Sequence, residues 1–544
     1  MKKIFLTLSL VLLTGLFAFA QGGSPELILF NGKIFTAEST QLTVEALAIR
    51  GERILAVGSN EEIKRLAGNK TRLIDLQGKT VIPGINDAHF HFTPFPEGIQ
   101  LTFDSMEPTW AETVEAIKKA VKTAPKGKWI FGTIGYNALS EKTADRFALD
   151  QISPDNPILL GAFYGHGDIL NSKAMPLLKI TDDGPDVLGG YFERVPNSQK
   201  INGRSWEYAQ WRPSRILAEQ VSDEIGIAEL KKMSDEAVRF GVTSMQVMST
   251  LSIDRFAKLL VKADLPIRVR AIPFALTFEN RRDLSEFQML SKLNFPKSKV
   301  KASGIKWILD GTPFERGAAT RQPYTDMPSS NGKMNFPEGE ISKMLKESLN
   351  FNQQILFHCS GDQCVASVFD AMEKIKIDWK QKRVRIEHGD GFSGDLIERG
   401  RKLGVIVVQN PTHLSFVEML HSRYSPKTDF MQARSLIDGG MQFALGSDGP
   451  MNPYLNIMFS SIHPSRPTEA ITREQAVVAY TNVAAFAEFA EKEKGSLSKG
   501  KLADISVLSQ DIFTVPVPEL PKTHSILTFI GGKIAYDEKL LKMQ

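Results

Sequence analysis

Val81-Ile82-Pro83-Gly84-Ile85-Asn86-Asp87-Ala88-His89-Phe90-His91-Phe92 is a mostly apolar run carrying two imidazoles one residue apart. Side chains alternate along a β-strand with period two, so His89 and His91 share a face. Two neutral imidazoles side by side suit a divalent metal better than they suit a hydrophobic core. The pair alone is equally compatible with plain hydrogen bonding, and the rest of the chain decides between the two.

Downstream of Gly241, short apolar strand candidates recur: 242–247, 267–272, 303–309, 354–358, 384–388, 405–409 and 441–446. Helical periodicity lies between most of them. In residues 227–240, for example, Ile227, Leu230, Met233 and Ala237 fall on one face. With the strand that ends at His89 there are eight, the number for an α/β fold of the (β/α)8 TIM-barrel type. Residues 93–225 are too long for one βα connection and predict an inserted subdomain, which carries Gly165-His166-Gly167.

The ends of the chain have another texture. Glu26-Leu27-Ile28-Leu29-Phe30, Asn31-Gly32 and Lys33-Ile34-Phe35-Thr36 carry the signature of a hairpin, and Ile526 to Tyr536 around Gly531-Gly532 resembles it. Residues 21–80 and 495–544 therefore predict one small β-sandwich domain built from both termini. It would flank a barrel spanning 81–494.

TIM-type barrels draw their chemistry from the C-terminal ends of their strands. Here the first strand ends with His89 and His91, and the fourth carries Lys306 ahead of Asp310-Gly311. The fifth ends with His358, the sixth with His388 and the eighth with Asp448. Each has an ordinary alternative taken singly: a structural histidine, a helix N-cap for Asp448, a snorkelling or paired Lys306. Yet four of only nine histidines fall at strand ends. That concentration predicts a metal centre.

The ordered set His-x-His, Lys, His, His, Asp resembles that of the amidohydrolase superfamily of metal-dependent hydrolases. Within it, the likeness is to the branch that includes N-substituted formamide deformylase. Further shared motifs are Gly165-His166-Gly167 with Asn171-Ser172-Lys173-Ala174, Asp310-Gly311, Gly361-Asp362, Gly446-Ser447-Asp448 and Gly500-Lys501-Leu502-Ala503-Asp504. The resemblance implies one or two divalent ions, with zinc the first candidate on ligand type. His89, His91 and Asp448 would hold the more buried ion, His358 and His388 the second. Lys306, carboxylated by carbon dioxide, would bridge them, since burial favours the neutral amine that reacts. An activated water would attack a carbonyl, with Asp448 as the catalytic proton carrier. His166, His413 and Asp310 would serve substrate binding. Around His358, Cys359-Ser360-Gly361-Asp362-Gln363-Cys364 departs from the usual pattern and puts the neighbouring substrate contacts in question.

The implied activity is hydrolysis of a carbon–nitrogen bond, most simply an N-formyl or N-acyl amide of a small molecule. Cyclic amides, esters or lactones remain open as substrates, as does a non-catalytic metal-binding role on the same barrel. A formal charge of +4 over 544 residues, without a long basic run, argues against nucleic acid as partner. Lys2-Lys3, the apolar Ile4–Phe19 and Ala18-Phe19-Ala20 read as a signal peptide over residues 1–20, cut after Ala20. The mature chain would be periplasmic or secreted, with no stable membrane insertion, and a homo-oligomer is left open. Cys359 and Cys364 are the only cysteines, too few for a disulfide framework.

Overall fold

The computed structural model describes residues 23–296, 298–424 and 430–542. The predicted signal peptide lies outside them. Among the described residues no helix is long and apolar enough to cross a membrane.

The centre of the fold is α/β. Eight strands run in chain order as β1 (Ile85–Phe92), β2 (Val242–Ser249), β3 (Arg268–Pro273), β4 (Ile305–Ile308), β5 (Ile355–Cys359), β6 (Arg385–His388), β7 (Ile406–Gln409) and β8 (Gln442–Leu445). All of the ladders between them are parallel. One sheet pairs β1, β2 and β3, and the other runs β4-β5-β6-β7-β8. A parallel bridge from Phe274 to Lys306 joins β3 to β4, and the Asp448 N–H donates to the His89 carbonyl at 2.9 Å where β8 meets β1. Strand Val300–Ala302 pairs with β3 ahead of that bridge. The pairing offset changes from 31 (300 − 269) to 32 (306 − 274), so one extra residue is accommodated around Ser303-Gly304, as at a β-bulge.

These strands are mostly buried, with Gln442 exposed at the start of β8 and Phe90, His91 and Arg268 partly so, as expected where helices cover a parallel sheet. Helices such as Asp223–Arg239 and Ile253–Ala263 supply that cover, burying Leu230, Met233 and Ala237, then Phe256, Leu259 and Leu260. The Ser222 hydroxyl caps the first of them by accepting the Ile225 N–H. Gly446 lets β8 approach β1: a Cβ there would lie 2.4 Å from that of His89.

Residues 98–207 form a separate six-stranded mixed sheet. Its order is 190–194, 201–207, 167–170, 158–162, 129–134, 98–100, and it has apolar clusters of its own.

The terminal segments pair with each other. Ile505–Leu508 lies antiparallel to Thr80–Pro83 in a six-stranded sheet, across a shared core from a four-stranded sheet of N-terminal strands. The hairpin expected around Asn31-Gly32 does not form. Leu27–Phe30 pairs with Ala46–Arg50 and Arg72–Asp75, while Lys33–Phe35 pairs with Thr43–Val44 and Thr80–Pro83 in the other sheet. Leu29 and Ile34 enter the same core from opposite sheets, so the dipeptide turns a corner between them. Gly531-Gly532 does close a two-residue hairpin, with Ile530 opposite Lys533. Both glycines have positive φ (57° and 71°), as a type I′ turn requires.

Candidate metal centre

The strand ends bring four of the predicted residues together. His89 Nε2 lies 3.1 Å from His91 Nε2, and His91 Nε2 lies 3.0 Å from Asp448 Oδ1. His388 Nδ1 is 3.6 Å from Asp448 Oδ2, and the His89 and His388 rings are 4.8 Å apart. Donor atoms of His89, His388 and Asp448 all fall within 4.8 Å of one another, a spacing one ion can span. His358 adjoins this group through His388, at 4.5 Å between ring centres. The helix that follows β8 is capped by Asn452, so Asp448 is free of the N-cap role.

Lys306 is buried, and its Nζ has no hydrogen-bond partner among the described residues. Burial lowers its pKa to about 8, which raises the neutral fraction. Burial also lowers His91, and it holds His358 and His388 well below the ordinary histidine value. Neutral imidazoles are the form that binds a metal. Burial would raise Asp448, but His89, His413 and His91 around it keep its carboxyl ionised. Three neutral imidazoles, one carboxylate and an unpartnered buried amine fit a divalent ion.

Three supporting residues escaped the sequence reading. Glu387 Oε2 lies 2.5 Å from His89 Nδ1, and Arg385 binds the same carboxylate through Nε and Nη2 at 2.7 and 2.9 Å. Burial pushes Glu387 up, yet the Arg385 guanidinium overrides it and holds the carboxyl well below its usual range. A carboxylate behind a ligating histidine sets its tautomer and ring orientation. Similarly, Asn410 Oδ1 lies 2.9 Å from His388 Nδ1. The available signal was Arg385-Ile386-Glu387, two ionisable residues alternating through an apolar strand.

The remaining candidates surround this group. His413 sits 3.5 Å from Asp448 Oδ2 and 3.6 Å from Asp390 Oδ1; burial opposes its charge, but these carboxylates push it up to about 10. The ring of His166 is 4.8 Å from that of His358, and Glu207 raises it to about 9 against the effect of burial. Asp310 is fully buried: Oδ1 accepts the Ser360 N–H, and Oδ2 accepts those of Gly361 and Ala319. It ties the loop after β5 to the loop after β4. Cys359 and Cys364 are buried side by side, their sulfurs 2.6 Å apart with no disulfide between them.

Residues 72–536 match the family profile described as Amidohydrolase family. Protein LONG AFTER FAR-RED 3 of Arabidopsis thaliana is 28% identical, over 94% of this chain and 91% of its own. N-substituted formamide deformylase of Arthrobacter pascens is 24% identical, over 94% and 98%. A crystal structure of an uncharacterized metal-dependent hydrolase from Pyrococcus furiosus shares the fold, with a TM-score of 0.68 over 90% of this chain and all of that one, at 24% identity. With the family profile spanning most of its length, the chain belongs to the amidohydrolase family and is a hydrolase.

Proposed function

We propose that the protein is an exported amidohydrolase that cleaves the carbon–nitrogen bond of a small-molecule amide, an N-formyl or N-acyl amine in the first instance. The observation that carries this reading is the convergence of His89, His91, His388 and Asp448 beside the unpartnered amine of Lys306. The two parallel sheets read as one eight-stranded barrel over 81–494, with 93–225 inserted and the terminal sandwich packed alongside.

One or two divalent ions, zinc by donor type, would be held by His89, His91, His358, His388, Asp448 and a carboxylated Lys306. Such an ion acidifies a water and polarises a carbonyl. Asp448, held ionised, accepts the proton of the attacking water and returns it to the leaving nitrogen as the C–N bond breaks. His413, within 3.5 Å, steadies the Asp448 carboxylate between those transfers. Glu387 keeps His89 in one tautomer. His166 and His413 face the substrate, and Asp310 serves the pocket from beneath by tying its two loops. Lys2-Lys3, the apolar Ile4–Phe19 stretch and the Ala18-Phe19-Ala20 cleavage pattern act as a signal peptide that sends the mature chain to the periplasm or out of the cell.

The test is metal analysis of the purified mature protein, then a hydrolysis screen over formamides, N-acyl amino acids, cyclic imides and lactones. Stoichiometric metal and amide turnover are expected. A protein that carries no metal and gains no activity with zinc or manganese would overturn the reading.

A further inference from the structure

His166 and Glu207 are 41 positions apart in the chain, yet the inserted sheet sets them face to face. Strand Gly167–Leu170 pairs antiparallel with Ile201–Glu207, with Gly167 opposite Trp206, so 166 meets 207 in the same register. Both Glu207 carboxylate oxygens lie 3.0 Å from His166 Nδ1. Asn335 Nδ2 donates to Oε2 at 2.9 Å, which fixes the carboxylate from its other side. Glu207 and His166 are both buried.

The backbone at Glu207 is unusual. Its φ of 55° and ψ of −127° lie in a region that glycine populates freely and residues with a Cβ avoid. Helix Tyr208–Ala218 begins directly after it, so the chain turns sharply at this residue. A glycine here would make the same turn without strain, yet would bring no carboxylate to His166. Such strain persists where surrounding structure over-determines it, and it gathers at functional sites.

We propose that Glu207 is a positioning residue for the hydrolytic centre, clamping His166 through Nδ1 so that Nε2 is the ring nitrogen left for substrate beside His358. The inference rests on the amidohydrolase reading above and extends it to a residue outside the metal set. Nδ1–H donates to the carboxylate, so one ring orientation is selected and Nε2 is left facing away from Glu207. A second carboxylate, Glu315, stands close enough for the three donor sets to fall within 4.8 Å of one another. Its oxygens already accept the Thr312 backbone N–H and hydroxyl. A cation seated among His166, Glu207 and Glu315 is therefore the competing account, and the experiment includes it.

The test is a double-substitution cycle with Glu207→Gly and His166→Asn, read in thermal midpoint, in metal content and in kcat/KM on the best substrate of the screen. With the clamp absent, Glu207→Gly only relieves strain. It should therefore raise the midpoint more in the His166→Asn background than in the parent. Each single substitution should lower kcat/KM by about 10–100-fold, with the double variant no worse than His166→Asn alone. Glu207→Gln keeps an oxygen that can accept Nδ1–H and should recover part of the loss. Equal midpoint shifts in the two backgrounds, or kinetic losses that multiply, would overturn the clamp. Loss of a metal equivalent on Glu207→Gly would overturn it too, in favour of a cation site. The midpoint arm needs no substrate, so a screen that finds no turnover sinks the activity while leaving the clamp decidable.

Discussion

Lys306→Met separates the functional role of this lysine from its thermodynamic cost. The amine is 1% exposed and has no hydrogen-bond partner among the described residues. Its pKa falls from an ordinary 10.5 to about 8 because burial penalises the ammonium. At about 1.36 kcal/mol per tenfold change in proton affinity, that difference amounts to about 3 kcal/mol. Between pH 8 and 10.5 the unfolded chain binds the proton that the folded chain gives up, so stability rises with pH across that window. Below pH 8 the full penalty applies. Methionine is apolar and close in volume, so it removes the penalty without opening a cavity. In metal-stripped protein, Lys306→Met should be more stable than the parent by about 3 kcal/mol at pH 7. The gap should close as pH rises above 10.5, the ordinary value for lysine. Denaturant midpoints at pH 7 and 11 measure this directly, and turnover of the metal-loaded variant should be abolished. A variant less stable than the parent at pH 7, or a gap unchanged at pH 11, would refute an unpartnered amine at this position.

Glu387→Gln leaves the Arg385 guanidinium buried without its counter-charge; breaking such a pair costs about 3–5 kcal/mol. It should lower the denaturant midpoint and weaken metal retention against a chelator by about 10–100-fold. Asp448→Asn keeps the side-chain shape but removes the proton carrier, and kcat should fall by about 100-fold or more in steady-state assays. Gly446→Ala places a methyl 2.5 Å from the His89 backbone nitrogen, so metal content should drop together with thermal midpoint. Unchanged values for both would mean that β8 and β1 have room to separate.

The α/β strands were legible because each is a short apolar run between turn residues, and their predicted spans match β2 to β8 within a few residues at each end. His388 could be read as a strand-end residue for the same reason, and Asp448 as one just beyond β8; the first strand, expected to end at His89, instead runs on to Phe92, so His89 stands inside it. What escaped depends on non-local pairing. Asn31-Gly32 and Gly531-Gly532 punctuate similar apolar runs, yet only the second closes a hairpin. The difference lies in which sheet Ile34 joins, and partners such as Val81 decide that from far along the chain. Glu207 carries no local mark at all, since its meaning comes from a register with residue 166. Glu387 sat in plain view beside His388, but a strand's alternation does not reveal which neighbouring strand a carboxylate will meet.

Three residues at this centre, Glu207, His388 and Asp448, hold positive φ without being glycine (55°, 66° and 48°). Each such conformation costs of order 1–3 kcal/mol. His388 ends β6, Asp448 follows the end of β8 at Leu445 by three residues, and Glu207 ends an inserted strand. In a regular extended strand, successive side chains would continue to alternate sides. A left-handed residue at the end breaks that alternation and re-aims its side chain. The cost of three such turns must be offset elsewhere. A dense buried network lies directly beneath: Arg385 binds Glu387 and the Ala88 carbonyl, Gln246 bonds Arg270 and Arg385, and Glu387 reaches His89. This network links β1, β2, β3 and β6 through side chains, independently of the strand ladders. Rigid ligand geometry and strained strand ends are therefore two sides of one arrangement. Relaxing the network should release the strain and lose the centre together, whereas relaxing Glu207 alone should disturb only His166.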